Sequence, residues 1–400
     1  MSNNSSRIKT AVLLAILILP AGLVGCPGQG FPSSTDTCPE IGPGIARFIN
    51  DSGLVAGDGG DYGDPYENVV FVWDAAAGFK IVGPPRSSAV ALNEAGQVLI
   101  KAIPAETRSG CLVWDAVHGL QDVGTIGGRW SEPIALNDNG LVLGNSVRAD
   151  WVEHLILWDA INGLRDIGDL SEYGVVSLGA QVSIADMNNS GIIVGTIATV
   201  LDRFNTWTSP RAFVWDPQQG LQILDTLGGD GSAANAINNK GQVVGWSYVE
   251  DNYTCHAFLW TEDSGMLDLH DLSGGRSWAV DLTDNGKVLG TIEYSDEHGS
   301  GSMGFYYDSR RGMQRIRAFG DLSSFYVEAI NRHGQVVGQG SIDNGGYDHA
   351  LLWDPTNGTQ DLGPACMEYP AISGALDINA SGQVVGWIHS VQNNIDAYVW

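Results

Sequence analysis

Carboxylates spaced along one loop are the first candidates for chemistry. In the stretch DGGDYGDPYE, acidic residues recur every three positions, at Asp58, Asp61, Asp64 and Glu67. Ca²⁺ takes six to eight oxygen ligands, which a flexible loop can supply, but this spacing differs from the EF-hand pattern. The sequence therefore offers a weak Ca²⁺ site and predicts no other metal or cofactor.

Motifs of covalent and phosphoryl-transfer chemistry do not occur in the sequence. It contains no GxSxG, HExxH or P-loop pattern. His256 and His349 occupy the same place in two repeats, which favours a structural role over metal binding. No catalytic residue is predicted, although a carbohydrate-active hydrolase or lyase stays open as an alternative because acidic loop residues are plentiful.

Tryptophan offers a second kind of site, because indole rings stack on sugars and fill pockets in partner proteins. The chain has 13 tryptophans, and some fall outside the regular position of the repeat described below. These off-register residues are Trp130, Trp151, Trp207, Trp246, Trp278 and Trp387. Packing beneath loops is the alternative role for them.

Two long connections come from neighbouring repeats, residues 171–183 and 196–211. Variable loops on a rigid scaffold are where binding residues concentrate. The predicted ligand contacts there are Tyr173, Arg203, Phe204 and Trp207.

The elements that must position these side chains form an internal repeat. An apolar run, Asn, two residues, Gly and a second apolar run recur, as in ANAINNKGQVVG (234–245). The marker positions, 43 to 51 residues apart, are Asn50, Asn93, Asn137, Asn188, Asn238, Thr283, Asn331 and Asn379. A second motif such as RAFVWDPQQG (211–220) alternates with the first. Both contain tight-turn residues, so each unit predicts four short antiparallel strands, named a to d.

Stacking of these units predicts one all-β domain, a β-propeller of eight four-stranded blades. One such sheet cannot bury both of its faces, and the period and strand count match a propeller blade. The regular aromatic residue of strand c would pack between neighbouring sheets. These residues are Trp73, Trp114, Trp158, Trp215, Trp260, Tyr307, Trp353 and Trp400.

Closure of the ring can be predicted from the two ends of the repeat region. The last unit has strands a, b and c but no d, whereas CPEIG (38–42) looks like a strand d placed before the first strand a. We therefore predict that residues 38–42 pair with DAYVW (396–400) and complete the last blade. Cys38 and Cys366 would lie near this closure, where a disulfide is possible.

The phrases HAFLW, TLGGDGSAANAINNKGQVVGWS (226–247) and WDPTNGTQDLG (353–363) resemble the HAF repeat of predicted extracellular bacterial proteins. The resemblance covers residues 38–400 and departs from the pattern at MGFYYD and Thr283. It implies an exported repeat protein and carries no catalytic motif.

The amino end predicts export. Residues 1–25 combine Arg7 and Lys9, an apolar run at 11–19, and LVGC at 23–26, which resembles a bacterial lipobox. The resemblance implies lipid attachment at Cys26, and cleavage near Gly25 would instead give a secreted protein. Residues 26–37 predict a flexible tether, and residues 38–400 the single propeller domain.

The charge of the chain limits which classes of binding partner are expected. The formal net charge is -26, which argues against nucleic acid because phosphate binding needs clustered Lys and Arg. We expect a monomer in the cell envelope that binds a protein or polysaccharide through its b–c and d–a loops. A purely structural surface role is a further alternative.

Lipid attachment can be tested in a bacterial expression host. We expect the full chain to partition into the detergent phase of Triton X-114, and Cys26→Ser to move it to the aqueous phase. Mass spectrometry of the mature amino-terminal peptide should show an acylated Cys26 in the wild type. An unmodified amino terminus near residue 26 would contradict the anchor.

Overall fold

The computed structural model is all-β, with eight four-stranded antiparallel sheets arranged as an eight-bladed propeller. It describes residues 40–60, 68–103, 110–168, 181–198, 209–270, 275–296, 299–317, 325–341, 348–363, 372–389 and 395–400. No helix in these ranges has the length and apolar content needed to cross a bilayer.

Each blade runs outward from strand a to strand d, and the bounds are given from blade 1 to blade 8. The a strands are Ile45–Ile49, Ser87–Leu92, Ser131–Leu136, Gln181–Met187, Gly228–Ile237, Ser277–Leu282, Phe325–Ile330 and Ile372–Ile378. The b strands are Val55–Gly59, Val98–Ala102, Val142–Val147, Ile193–Ala198, Val243–Val249, Val288–Asp296, Val336–Ser341 and Val384–His389. The c strands are Val69–Asp74, Cys111–Asp115, Glu153–Asp159, Arg211–Asp216, Cys255–Thr261, Gly299–Asp308, Asp348–Asp354 and Ile395–Val399. The d strands are Gly78–Ile81, Gly119–Asp122, Gly163–Gly168, Gly220–Ile223, Gly265–Asp268, Gly312–Ile316, Gly358–Asp361 and, in blade 8, Glu40–Pro43.

The predicted closure of the ring is confirmed. Glu40–Pro43 pairs antiparallel with Ile395–Val399 and supplies strand d of blade 8. The backbone N–H of Gly44 also donates to the carbonyl of Ile395 at 2.9 Å. The closing strand ends at Pro43 rather than at residue 42, and residues 38 and 39 lie outside the described chain. The outer edge of Ile395–Val399 is thus covered by the chain's own strand.

The hydrophobic core is divided into wedges between adjacent sheets. Between blades 1 and 2, for example, Val70 and Val72 of one sheet pack with Ile100 and Trp114 of the next. The regular aromatic of strand c contacts the preceding blade in every interface, as the sequence predicts. Each blade therefore buries both of its faces only through its neighbours.

The marker asparagine ends strand a and builds the a–b turn. In blade 3, the Asn137 Oδ1 accepts from the backbone N–H groups of Asn139 at 3.1 Å and Leu141 at 2.9 Å. The glycine three residues after the marker has a positive φ, 78° at Gly140, which other residues adopt only with strain. A bulge three residues before the marker, as at Ile134, recurs in every a–b pair. The repeat of Asn and Gly thus has a direct conformational cause.

The same asparagines connect the blades into a ring. The Nδ2 of each marker donates to the backbone carbonyl of the next marker, at 2.9–3.2 Å. The final bond, from Asn379 to the carbonyl of Asn50, joins blade 8 to blade 1. All of these donors are buried, and a buried amide that loses its partner is costly.

The ring is interrupted after blade 6, where Thr283 replaces asparagine. Its hydroxyl closes its own turn by accepting from the Lys287 N–H at 3.1 Å, but threonine has no amide to reach blade 7. Asn285 Nδ2 and Lys287 Nζ instead donate to the carbonyl of Arg332, at 2.9 and 3.1 Å. Blade 6 therefore uses two partly exposed donors where the other blades use one buried amide.

The ring predicts opposite effects of two substitutions. Thr283→Asn should add the missing bond to Asn331 and raise the free energy of unfolding by ~0.5–1.5 kcal/mol. Asn137→Thr should remove one existing bond and lower it by ~1–3 kcal/mol. Urea denaturation would measure both, with Asn357→Thr in an exposed c–d turn as the matched control. Equal effects of Asn137→Thr and the control would show that the ring does not stabilise the fold.

Candidate ligand-binding end of the propeller

The two ends of the propeller carry different connections. One end, the turn end, carries the a–b and c–d turns, and the other, the loop end, carries the b–c and d–a connections. Candidate sites occur at both ends, and their side chains differ in charge and in exposure.

A second ring of polar side chains lies at the turn end, one residue after each marker. There the backbone N–H of one blade donates to the side-chain oxygen of the next blade, at 2.8–3.1 Å. The accepting residues are Asp51, Glu94, Asp138, Asn189, Asn239 and Asp284. Arg332 and Ala380 complete the set, and the Arg332 guanidinium lies 3.8 Å from the Asp51 carboxylate.

Carboxylates at this end raise one another's pKa. Burial raises the pKa of Glu94 to about 7, and the charges of Asp51, Asp138 and Asp377 act in the same direction. Burial also raises the pKa of Asp138, to which Asp284 and Asp51 contribute. Asp51, Glu94 and Asp138 of blades 1 to 3 are thus joined by hydrogen bonds from blade to blade, and their charges act on one another.

The loop end carries a different set, at the directly opposed positions of strands a and b. In blades 5 to 8 one member of each such pair is aromatic. The pairs are Ala233 with Trp246, Trp278 with Thr291, Tyr326 with Gln339, and Gly374 with Trp387. We call Trp246, Trp278, Tyr326 and Trp387 the aromatic arc, since they occupy the same register in four consecutive blades.

Side chains of the arc are only partly covered. Tyr326 is 50% exposed, and the three tryptophans are half-buried. The Trp246 ring meets Tyr248 edge to face, with centroids 5.2 Å apart, which leaves its remaining surface to other partners. Aromatic surface that is neither buried nor fully solvated is typical of ligand-binding positions.

Blades 1 to 4 fill the same register with aliphatic, polar and charged residues. The pairs are Ile45 with Asp58, Ser88 with Lys101, Glu132 with Asn145, and Ser183 with Thr196. Lys101 and Glu132 form an ion pair between blades 2 and 3. The loop end is therefore divided into an aromatic half and a polar half.

Asp58, the described member of the predicted Ca²⁺ site, has protein partners on both oxygens. It pairs with Arg47 and accepts from the Ala89 N–H of blade 2 at 2.7 Å. Burial raises its pKa against the opposing effect of Arg47. Asp61, Asp64 and Glu67 lie outside the described residues. Across the described ranges, no three His, Cys, Asp or Glu side chains are grouped as metal ligands.

Two b–c hairpins present exposed aromatic rings at the same end. Trp151 is 68% exposed, has a positive φ of 69°, and stacks against the Arg129 guanidinium at 5.6 Å. Tyr253 is 78% exposed and follows Asn252, whose φ is 57°. A left-handed backbone costs a tryptophan of the order of 1 kcal/mol, so folding alone does not favour this exposed ring.

Other predicted positions have varied outcomes. Trp130 is half-buried immediately before strand a of blade 3, where its carbonyl accepts from the Ser146 hydroxyl at 3.1 Å. Tyr173, Arg203, Phe204, Trp207, Cys26, Cys38 and Cys366 lie outside the described residues. Each of these remains a prediction.

Histidines at the start of strand c have a structural partner, as the repeat indicates. His256 and His349 contact Asp268 and Asp361 of strand d at 2.8 and 3.0 Å through Nδ1. His154 makes the same contact with Asp166 at 2.8 Å. These pairs tie strand c to strand d beside the loop end.

Three functional candidates were missed by sequence reasoning. Tyr326 lies in the register of Trp278, five residues before the marker, so alignment of the repeats could have found it. Tyr253 has no equivalent in the other repeats. Glu94 could not be selected from the sequence, because its raised pKa depends on its burial and on carboxylates of other blades.

Comparisons with known proteins agree with the fold. No family model and no curated protein matches the chain. The chain is similar to dipeptidyl peptidase 4 of Porphyromonas gingivalis, at 9% identity and a TM-score of 0.54, over 90% of this chain and 60% of that one. It is also similar to a post-proline cleaving enzyme from Rickettsia typhi, at 10% identity and a TM-score of 0.50, over 87% and 57%. The chain thus spans less than two thirds of either protein, and the likeness shows the propeller fold alone.

The raised pKa of Glu94 predicts a pH-dependent stability. Between 4.5 and about 7 the unfolded chain loses a proton that the folded chain keeps, so the free energy of unfolding falls as pH rises through this window. Glu94→Gln keeps an oxygen that can accept from the Asp51 N–H but removes the titration. We expect the variant to be more stable than wild type at pH 8 and equal at pH 4.

Urea denaturation at several pH values would test this. Glu262→Gln, in an exposed c–d turn, is the control and should follow the wild-type curve at every pH. A constant difference between Glu94→Gln and wild type from pH 4 to pH 8 would contradict the assignment.

Proposed function

We propose that this protein is an exported binding propeller, anchored by lipid at Cys26, that recognises a protein or polysaccharide of the cell envelope through its loop end. The observation that carries the proposal is the concentration of exposed and half-buried aromatic rings there. Trp151 and Tyr253 stand on hairpins, and the aromatic arc lies on the strands of blades 5 to 8.

The direction of the closing strand also supports the loop end as the binding face. Strand d of every blade, including Glu40–Pro43, runs antiparallel to strand c and therefore from the turn end towards the loop end. The chain therefore begins the closing strand, at Glu40, on the turn end and outer rim of the ring. An anchor that precedes Glu40 would hold the turn end towards the membrane and leave the loop end facing outward.

The alternative of a carbohydrate-active enzyme has one observation in its favour. Glu94, with a pKa of about 7, lies near the carboxylates of Asp51 and Asp138, and paired carboxyl groups are what glycoside hydrolysis needs. These groups lie at the turn end, however, on the opposite side from the aromatic arc. Because their oxygens also accept backbone hydrogen bonds between blades, a structural role accounts for them.

The two ends can be compared with matched double variants. Trp151→Ala with Tyr253→Ala removes two exposed rings from the loop end. Val117→Ala with Ile161→Ala removes two exposed apolar side chains, 85% and 93% exposed, from c–d turns at the turn end. Both variants delete exposed surface, so neither should unfold the propeller.

Binding would be measured with residues 27–400 on arrays of bacterial polysaccharides and purified envelope proteins. We expect the wild type and the turn-end variant to bind the same spots, and the loop-end variant to bind them at least ~10-fold more weakly, as for aromatic hot-spot residues. Equal loss in both variants, or a folded protein that binds no spot, would argue for the structural role instead.

A further inference from the structure

We propose that the aromatic arc binds a polysaccharide without acidic groups, laid along blades 5 to 8 at the mouth of the ring. This inference rests on the proposed function and specifies its ligand. It places the site on strands a and b, at three tryptophans that the sequence offers as candidates and at Tyr326, which it does not.

Spacing is the first argument. The arc places one ring on each of four consecutive sheets, at the same cross-strand register. Packed sheets lie about 10 Å apart, so successive rings form separate platforms along a curve rather than one continuous apolar patch. A protein partner would instead bury a contiguous patch of about 800 Å². Separate platforms suit a linear chain of rigid rings, each with an apolar C–H face.

Neutral polar groups beside the rings are the second argument. Thr291 stands opposite Trp278, and Gln339 stands opposite Tyr326. A Cβ on Gly374 would lie 2.8 Å from both the Gln339 Oε1 and the Trp387 Nε1. Glycine at this position therefore leaves room for an acceptor of blade 7 and a donor of blade 8 beside the same stretch of backbone. Sugar hydroxyls can both donate and accept, so they match this pairing.

Charge excludes acidic polysaccharides. Within two residues of the arc and its cross-strand partners lie three carboxylates, at Glu293, Glu328 and Asp396, and one guanidinium, at Arg276. The whole chain carries a formal net charge of -26. A polyanion would be repelled at this end, whereas hydroxyl groups can donate to the carboxylates.

The polar half of the loop end limits the length of the ligand. At the same register, blades 1 to 4 offer no ring, and Asp58 with Arg47 and Lys101 with Glu132 already form ion pairs. A longer sugar chain should therefore gain contacts with the four rings of the arc and none beyond them. We expect affinity to rise from disaccharides to hexasaccharides and to change little with longer chains.

The test uses residues 27–400 and a set of neutral hexasaccharides of glucose, mannose, galactose and N-acetylglucosamine, with oligogalacturonate as the acidic comparison. Intrinsic tryptophan fluorescence and calorimetry would report binding. Tyr326→Ala removes an exposed ring, and Tyr326→Phe keeps the ring without the hydroxyl. We expect a loss of about 3- to 10-fold for Tyr326→Ala, near wild-type affinity for Tyr326→Phe, and no change for the turn-end control Ile161→Ala.

Trp387→Ala provides a second arm and should weaken the same sugar by a similar factor. No binding of any neutral hexasaccharide, tighter binding of oligogalacturonate, or equal affinity of Tyr326→Ala and wild type would overturn the inference. If an envelope protein binds and Trp151→Ala with Tyr253→Ala abolishes that binding while the sugars stay silent, the proposed function stands and the sugar assignment fails. If the protein binds neither an envelope protein nor any sugar, both proposals fail.

Discussion

In seven of the eight blades, one buried hydrogen bond runs from the asparagine amide to the backbone carbonyl of the next blade, and this bond sets the geometry of the ring. The acceptor half of the same side chain closes the a–b turn, so one residue fixes both the hairpin and its position against the neighbour. Substituting it would leave a turn and an interface without partners at once. This double use explains why the Asn and the Gly recur while the residues around them vary.

The inter-blade bonds at the turn end limit which side chains can vary there. Backbone N–H groups there are paired with side chains of adjacent blades, which leaves few side chains free to change. The loop end is held by the shared sheets and by buried serines of strand a that accept backbone N–H groups of the preceding blade, such as Ser277 from Ala257 at 2.9 Å, so its connections can vary in length without disturbing the ring. Variable connections on a rigid scaffold are where binding residues concentrate.

The fold could be predicted from the sequence because the same short strand and turn motifs recur in every unit. The spacing of the markers gives the blades, and the missing strand d of the last unit gives the closure by Glu40–Pro43. Of the candidate site, the sequence analysis names Trp246, Trp278 and Trp387, and the structure places them in one register. Tyr326 lies in the same register, five residues before its marker, and was identifiable from the repeat in the same way as Trp278. Glu94 could not be found, because its pKa depends on charges more than 40 residues away in sequence.

Blade 6 links the ring to the arc. It is the blade in which threonine replaces the amide, and its interface with blade 7 is supported instead by Lys287 and by the Tyr306 ring, 5.3 Å from Trp353. The arc crosses this same interface, from Trp278 to Tyr326. A ligand that stacks on both rings would bridge the two blades where the buried bond is missing. Because a ligand that binds only the folded state stabilises it, binding and closure of the ring should reinforce each other at this joint.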